Sequence, residues 1–120
     1  MTNELDVYLA GLAEADAGLI RRFYDRALEL VPDAVPGRKY AMPCLTYRDR
    51  GLVAIVVRSH GLSLYPFGSE PIERAADLLG GLPTSSGAVR FTADHPIPID
   101  AFDQMVLASR DGIDERLTRS

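Results

Sequence analysis

The chain has 120 residues, 47% of them hydrophobic and 25% charged, and a formal net charge of −4. This length is enough for one domain with a single buried core, and a mildly acidic chain has no general electrostatic footprint for nucleic acid, which would need a basic face. The single cysteine, Cys44, cannot form an intramolecular disulfide, and no apolar run approaches the length of a membrane span. The N-terminus lacks the basic start and apolar core of a signal peptide, so we expect a cytoplasmic protein that binds neither nucleic acid nor membrane.

The first third of the chain predicts two helices. Thr2 or Asn3 can cap the first, because apolar residues follow at helical spacing. Asp16 is the candidate cap of a second, longer helix. The apolar face of that helix consists of Leu19, Ile20, Phe23, Ala27, Leu30 and Val31. Pro32 and the pair Pro36-Gly37 are expected to end it.

Three β-prone runs joined by short turns follow, at residues 39–47, 52–58 and 62–65. Pro43 cannot donate to a ladder, so the first run predicts an edge strand or a strand bulged at Pro43. The second run is apolar at nearly every position, which is typical of a central strand covered on both faces, or of one whose second face meets a partner. Tight turns predict that the three strands are antiparallel.

The last third predicts a helix that begins near Pro71 and stops at Gly80-Gly81, a strand at residues 88–92, and a final helix capped by Asp100. The predicted fold class is therefore α+β. We expect a two-layer sandwich in which a mainly antiparallel sheet of four to five strands carries helices at both ends and one in the middle. Residues 1–120 are expected to form a single domain.

Six short motifs, each present once, follow one another along the chain. They are Tyr8-Leu9-Ala10-Gly11-Leu12, Pro32-Asp33-Ala34, Tyr40-Ala41-Met42-Pro43-Cys44-Leu45, the segment from His60 to Pro66, Ser85-Ser86-Gly87-Ala88-Val89-Arg90-Phe91, and His95-Pro96-Ile97-Pro98. The ordered series resembles the YdhG-like family of small bacterial domains, most of them of unknown function, and covers roughly residues 6–110. Ala41 stands where that family usually has Gly, Cys44-Leu45 replaces Ala-Phe, and Ser86 replaces a frequent Lys.

Some YdhG-like proteins are described as frataxin-like iron chaperones, so the resemblance implies iron as a ligand and an iron-acceptor protein as a partner. Hard ferrous iron suits carboxylates. The candidate metal ligands are Asp6, Glu14, Asp16, Asp25 and Glu29, with Glu4 and Asp33 close by. Asp25 and Glu29 are four residues apart and share one face of a helix. A solvated helix face, partly neutralised by Arg22 and Arg26, explains the same pattern and is the more common cause of it.

The sheet offers a second candidate site. The strands carry Tyr40, Met42, Arg58, Tyr65 and Arg90. Tyr40 and Met42 are two apart and are expected to point the same way. Aromatic, methionine and arginine side chains on one face suit a small anionic or planar ligand, or a protein partner such as a second copy of the chain. An ordinary half-buried sheet face is the simpler explanation.

The remaining chemistry-bearing residues predict no catalytic centre. His60 and His95 lie in turns without metal-site company and are expected to be exposed, and Cys44 is expected to be a small apolar filler. No nucleophile–base pair or metal constellation is visible. We therefore expect a binding module that is not an enzyme. Iron delivery is its first candidate role, and ligand or partner binding through the sheet face is the alternative.

Overall fold

The computed structural model describes residues 3–119. Its helices are α1 (Glu4–Ala10), α2 (Glu14–Leu30), α3 (Glu70–Ala75), which runs into a short 3₁₀ turn (Ala76–Leu78), and α4 (Ile99–Arg119). Its strands are β1 (Val35–Lys39), β2 (Met42–Tyr47), β3 (Arg50–Arg58), β4 (Gly61–Tyr65) and β5 (Val89–Phe91). Within residues 3–119, none of the helices combines the length and the apolar character needed to cross a membrane.

The five strands form an antiparallel meander in which they lie side by side in chain order. Two-residue turns, Tyr40-Ala41 and Arg48-Asp49, join the first three strands, and all four turn residues have positive φ. Turns of this handedness match the right-handed twist of hairpin strands. The helices bury their apolar residues against one face of the sheet, which confirms the predicted two-layer α+β sandwich.

The core lies between helices α2 and α4 and the helix-facing side of the sheet. Phe23 of α2 packs against Phe102 of α4 with ring centroids 4.7 Å apart, and it meets the ring of Phe91 of β5 edge-on at 5.8 Å. Each such aromatic pair contributes about 0.5–1.5 kcal/mol beyond the area that it buries. These contacts hold the short strand β5 against the helical layer.

The ladder between β2 and β3 is short. It covers only the end of β2, from Leu45 opposite Val53 to Tyr47, and contains a bulge between Leu45 and Thr46. Beyond Val53, β3 continues to pair with β4. On its other edge the backbone N–H groups of Ile55 and Val57 donate instead to tyrosine hydroxyls of α2 and α1. Helices therefore complete the hydrogen bonding of β3 where β2 departs.

The structure corrects the prediction for residues 39–47. This segment is not one strand, because Tyr40 and Ala41 form a turn and a further strand, β1, precedes them. Since β2 lies between β1 and β3, it is not an edge strand, and its bulge falls after Leu45 rather than at Pro43. Pro43 is tolerated because β2 pairs with β3 only from Leu45 onward, so no β3 ladder bond is lost there.

Two predicted helix caps are also wrong. The structure begins α2 at Glu14 and α4 at Ile99, so Asp16 and Asp100 lie inside the first turns of these helices. A carboxylate in the first turn still interacts favourably with the helix dipole, which explains why the same residue types mark both positions. At α1 the Asn3 cap is confirmed, since its side-chain oxygen accepts a 2.9 Å bond from the backbone N–H of Asp6. Thr2 lies outside the described residues.

Candidate functional site

The sheet face that points away from the helices carries the polar side chains of β3, β4 and β5. Val53 and Ile55 of β3 belong to the helix-facing core, and alternation places Val56 on the opposite face. Val56 pairs with Ser63 of β4, and Ser63 pairs with Arg90 of β5, so these three residues form one row across the sheet. Val56 and Ser63 are buried, whereas Arg90 is exposed at the end of the row.

Arg58 and Tyr65 contact each other on this face. The Arg58 Nε donates a 3.2 Å hydrogen bond to the Tyr65 hydroxyl, and its guanidinium carbon lies 5.5 Å from the centre of the Tyr65 ring. Cation–π contacts of this kind orient an arginine without neutralising its charge. The prediction that Arg58 and Tyr65 share a face is therefore confirmed by their contact.

A cleft of about 420 Å³ opens beside β5. We call it the histidine cleft, because both histidines of the chain line it together with Arg90. The remainder of its lining is Gly80, Gly81, Leu82, Pro83, Phe91 and Thr92. A concave, largely apolar wall with a few polar groups at one place is the usual form of a small-molecule site.

Local backbone geometry places the two imidazoles. His60 lies in the β3–β4 turn, and its Nε2 is 3.1 Å from the hydroxyl oxygen of the buried Ser63. His95 lies in a tight turn after β5, where its backbone N–H donates to the Thr92 side chain at 3.1 Å. Gly61 allows β4 and β5 to approach here, because a Cβ at this position would lie 2.9 Å from the carbonyl oxygen of Phe91. Its φ of +132° also favours glycine.

The charge in this region is not neutralised. Six arginines of the described chain pair with carboxylates, namely Arg21, Arg26, Arg38, Arg48, Arg74 and Arg110. Neither Arg58 nor Arg90 forms an ion pair with a carboxylate of residues 3–119. The face and the adjoining cleft therefore present two guanidinium groups that no carboxylate of the described residues neutralises, together with two exposed imidazoles, and this arrangement favours an anion.

Tyr40 does not belong to this face. It lies in the β1–β2 turn with φ of 51°, and its side chain is 85% exposed and stacks on Phe67. Met42 opens β2 opposite Lys39 and is half-buried. The prediction that Tyr40 and Met42 lie on one strand is wrong, because Tyr40 belongs to the turn that precedes β2 and the alternation rule applies only within a strand.

The acidic residues proposed as metal ligands are spread over the first two helices. Asp25 and Glu29 are exposed on α2, where Glu29 is 4.0 Å from Arg26. The Asp6 carboxylate instead accepts a 2.6 Å bond from Arg21, which lowers its pKa. Glu14 and Asp16 lie in the first turn of α2. Within the part of the chain that the structure describes, no three such side chains come close enough to hold a metal ion together.

Cys44 is fully buried in β2 and has no disulfide partner. Burial raises the pKa of its thiol, although contacts with Lys39 and Arg38 oppose that shift. A buried thiol of raised pKa is a poor nucleophile. This agrees with the expectation that Cys44 fills space in the sheet.

The meeting of His60, Arg90 and His95 was not predicted. The two histidines are 35 residues apart in the chain (95 − 60), and a helix and a loop separate β4 from β5. They converge because Leu62 pairs with Phe91, which brings the start of β4 beside the end of β5. Predicting this cluster would have required knowing that β4 pairs with β5, and the local sequence patterns of the two strands do not indicate that pairing.

Comparison with known proteins bears on the fold. The chain superimposes on a crystal structure of a DUF1801-family protein, YdhG from Bacillus subtilis, with a TM-score of 0.74. The two chains share this fold. The match covers 85% of this chain and 84% of that chain at 17% sequence identity, so it supports the YdhG-like resemblance at the level of architecture. No protein-family model matches the sequence, and no curated protein matches it.

Proposed function

We propose that the chain is a binding module that takes a small anionic molecule at the histidine cleft and carries out no reaction on it. The observation that supports this most directly is the convergence of Arg90, His60 and His95 on one cleft. Arg90 forms no ion pair within residues 3–119, so its guanidinium remains available for a carboxylate or phosphate.

The shape of the cleft agrees with a small ligand. Its volume of about 420 Å³ falls within the range of small-molecule sites. Leu82, Pro83 and Phe91 supply apolar walls, and Arg90, His60 and His95 supply polar side chains to the same lining. We infer that the apolar walls exclude water around the ligand and that Arg90 fixes its charged group.

Calorimetric titration with inorganic phosphate and with citrate tests this proposal. We expect saturable binding of at least one anion, weakened about tenfold by Arg90→Gln, because a hydrogen bond to a charged group contributes about 1.5–3 kcal/mol. Arg22→Gln is the matched control, since Arg22 is an exposed arginine on α2 that does not line the cleft. Equal affinity in the Arg90→Gln variant and the unaltered protein would reject the assignment.

A second copy of the chain is the alternative occupant of the open sheet face. Ala54 and Val56 of this face are already buried within the single chain, so the face exposes little apolar area to a protein partner. This favours the small ligand. Sedimentation analysis distinguishes the two. A dimer that Arg58→Ala dissociates would support the interface, and a monomer across the concentration range would leave the face to a ligand.

Iron delivery, which the family resemblance implies, remains a separate proposal. Its support is the pair Asp25 and Glu29, both exposed and one helical turn apart. We would titrate the protein anaerobically with ferrous iron and with magnesium, and compare the double variant Asp25→Asn/Glu29→Gln. The matched control is Glu73→Gln/Asp77→Asn, a second exposed acidic pair with the same spacing. If both double variants still bind iron, the Asp25 and Glu29 pair on α2 is excluded as the iron site.

A further inference from the structure

Backbone strain in this protein is concentrated in one place. Within residues 3–119, five non-glycine residues have positive φ: Tyr40, Ala41, Arg48, Asp49 and Phe67. Three of them line a single cleft, and the other two are their neighbours in the same turns. The hairpin turns require positive φ at four of these positions, but such turns favour Asn and Gly rather than Tyr, Ala and Arg. Strained residues of this kind cluster at ligand sites.

The fifth residue, Phe67, is held over the start of β3. Its ring lies directly on Gly51, where an added Cβ would be 2.8 Å from the ring carbons. The ring of Tyr40 stacks on Phe67 with centroids 6.0 Å apart and planes 26° apart. Because Tyr40 is nevertheless 85% exposed, most of its ring surface faces solvent. Gly51 and Phe67 thus support an aromatic platform at the surface.

Three cations surround this platform. Lys39 of β1, Arg50 of β3 and Arg116 of α4 line the same cleft, whose volume is about 290 Å³. None of the three forms an ion pair with a carboxylate of residues 3–119. Asp49 is the one acidic residue in the lining. In a protein of net charge −4, a site with three cations and one carboxylate is a local excess of positive charge.

Arginines next to this cleft do form ion pairs with carboxylates. Arg48, in the adjacent turn, pairs with Asp114 of α4 at 3.0 Å, and Arg38 of β1 pairs with Glu4 at 2.8 Å. The same elements therefore supply both paired and unpaired cations. Lys39, Arg50 and Arg116, which form no such pair within the described residues, line the same cleft as the Tyr40 ring.

We propose that this cleft, which we call the aromatic cleft, binds a small ligand that combines a planar ring with a phosphate or carboxylate group. The ring stacks on Tyr40, and the anionic group lies among Lys39, Arg50 and Arg116. The volume of about 290 Å³ admits a single ring with its charged substituent. No residue lines both this cleft and the histidine cleft, so the inference is independent of the proposed function.

Three probes separate the contributions of ring and charge: phenyl phosphate, inorganic phosphate and phenol. We expect phenyl phosphate to bind most tightly in calorimetry, and its affinity to fall as salt is raised, because Arg50 and Arg116 are solvent-exposed. The chain has no tryptophan, so Tyr40→Trp introduces a single fluorescent reporter into the cleft. Saturable quenching of that tryptophan by phenyl phosphate would locate the ligand.

The side chains to be substituted, Tyr40, Arg50 and Arg116, are exposed, so we expect the variants to fold normally. Arg50→Gln and Arg116→Gln are each expected to weaken phenyl phosphate binding about tenfold, and Tyr40→Ala by about two- to tenfold. Arg22→Gln, the exposed arginine of α2, is expected to change nothing. Absence of saturable binding, or full affinity in both Arg50→Gln and Arg116→Gln, would overturn the proposal. Weakening by Arg90→Gln alone would place the ligand in the histidine cleft and would overturn it equally.

Discussion

The hydroxyl of Tyr24 accepts a 2.8 Å hydrogen bond from the backbone N–H of Ile55, beyond the point where β2 stops pairing with β3. A tyrosine of α2 thus takes the place of a strand partner. Tyr8 of α1 does the same for Val57, also at 2.8 Å. Tyr24 is buried, and this burial raises the pKa of its phenol far above the usual 10. The hydroxyl therefore stays protonated across the working pH range.

Tyr24→Phe is expected to lower the free energy of unfolding by about 1–3 kcal/mol, because it leaves a buried N–H without a partner. Urea unfolding followed by circular dichroism measures the change. Tyr65→Phe is the control, since its hydroxyl bonds only the exposed Arg58, and its effect should stay within about 0.5 kcal/mol. Equal small effects of both substitutions would mean that β3 does not depend on the Tyr24 bond.

Ala41→Gly is expected to stabilise the protein. Ala41 has φ of 61°, a conformation that costs an L-residue about 1–2 kcal/mol and glycine far less. Greater freedom of glycine in the unfolded chain offsets part of this gain, which leaves about 0.5–1 kcal/mol. Ala76→Gly is the control, and its change in the free energy of unfolding should have the opposite sign. Ala76 has φ of −51°, which alanine adopts without strain, so glycine should destabilise the protein there. Destabilisation by Ala41→Gly would contradict the strain argument.

Acid is expected to weaken the link between α4 and the β2–β3 hairpin. Asp114 accepts bonds from the Tyr47 hydroxyl at 2.9 Å and from Arg48 at 3.0 Å, and these lower its pKa below the ordinary 3.8. Because the pKa of Asp114 is lower in the folded than in the unfolded chain, its ionised carboxylate contributes fully to stability at pH values above the unfolded pKa of 3.8. That contribution is lost as the pH falls through the folded pKa.

The measurement is the free energy of unfolding near pH 7 and near pH 3. Asp114→Asn should lose less stability on acidification than the unaltered protein does. Asp77→Asn serves as the control, since Asp77 is exposed in the 3₁₀ turn after α3, and it should keep the full acid dependence. The same acid dependence in the Asp114→Asn variant would exclude Asp114 as its source.

Cys44 is expected to resist thiol reagents in the native protein. The side chain is fully buried, and burial raises the pKa of the thiol, so both access and thiolate formation are disfavoured. Labelling with an aromatic disulfide should be slow in buffer and immediate in denaturant. Its native rate should follow the unfolding equilibrium, so Tyr24→Phe should accelerate it. Rapid stoichiometric labelling of the folded protein would contradict this assignment.

Local patterns in the sequence determined most of the secondary structure. The helical spacing of Ile20, Phe23 and Ala27 predicted the buried face of α2, and the apolar run of β3 predicted a central strand. Strand β1 was missed, because Pro36 and Gly37 are typical of turns and only pairing with β2 makes that segment a strand. Its conformation is imposed by a partner and not by its own residues.

The sites required the tertiary structure. The sequence contains His60, Arg90 and His95 as isolated residues, and the pairing of β4 with β5 brings them to one cleft. The folded chain likewise places Arg116 near Tyr40 across 76 positions (116 − 40). Periodicity reports only on neighbours within a few residues, since it reflects the geometry of a single helix or strand. Contacts between distant segments depend on which core packing is most stable, and that choice belongs to the whole chain.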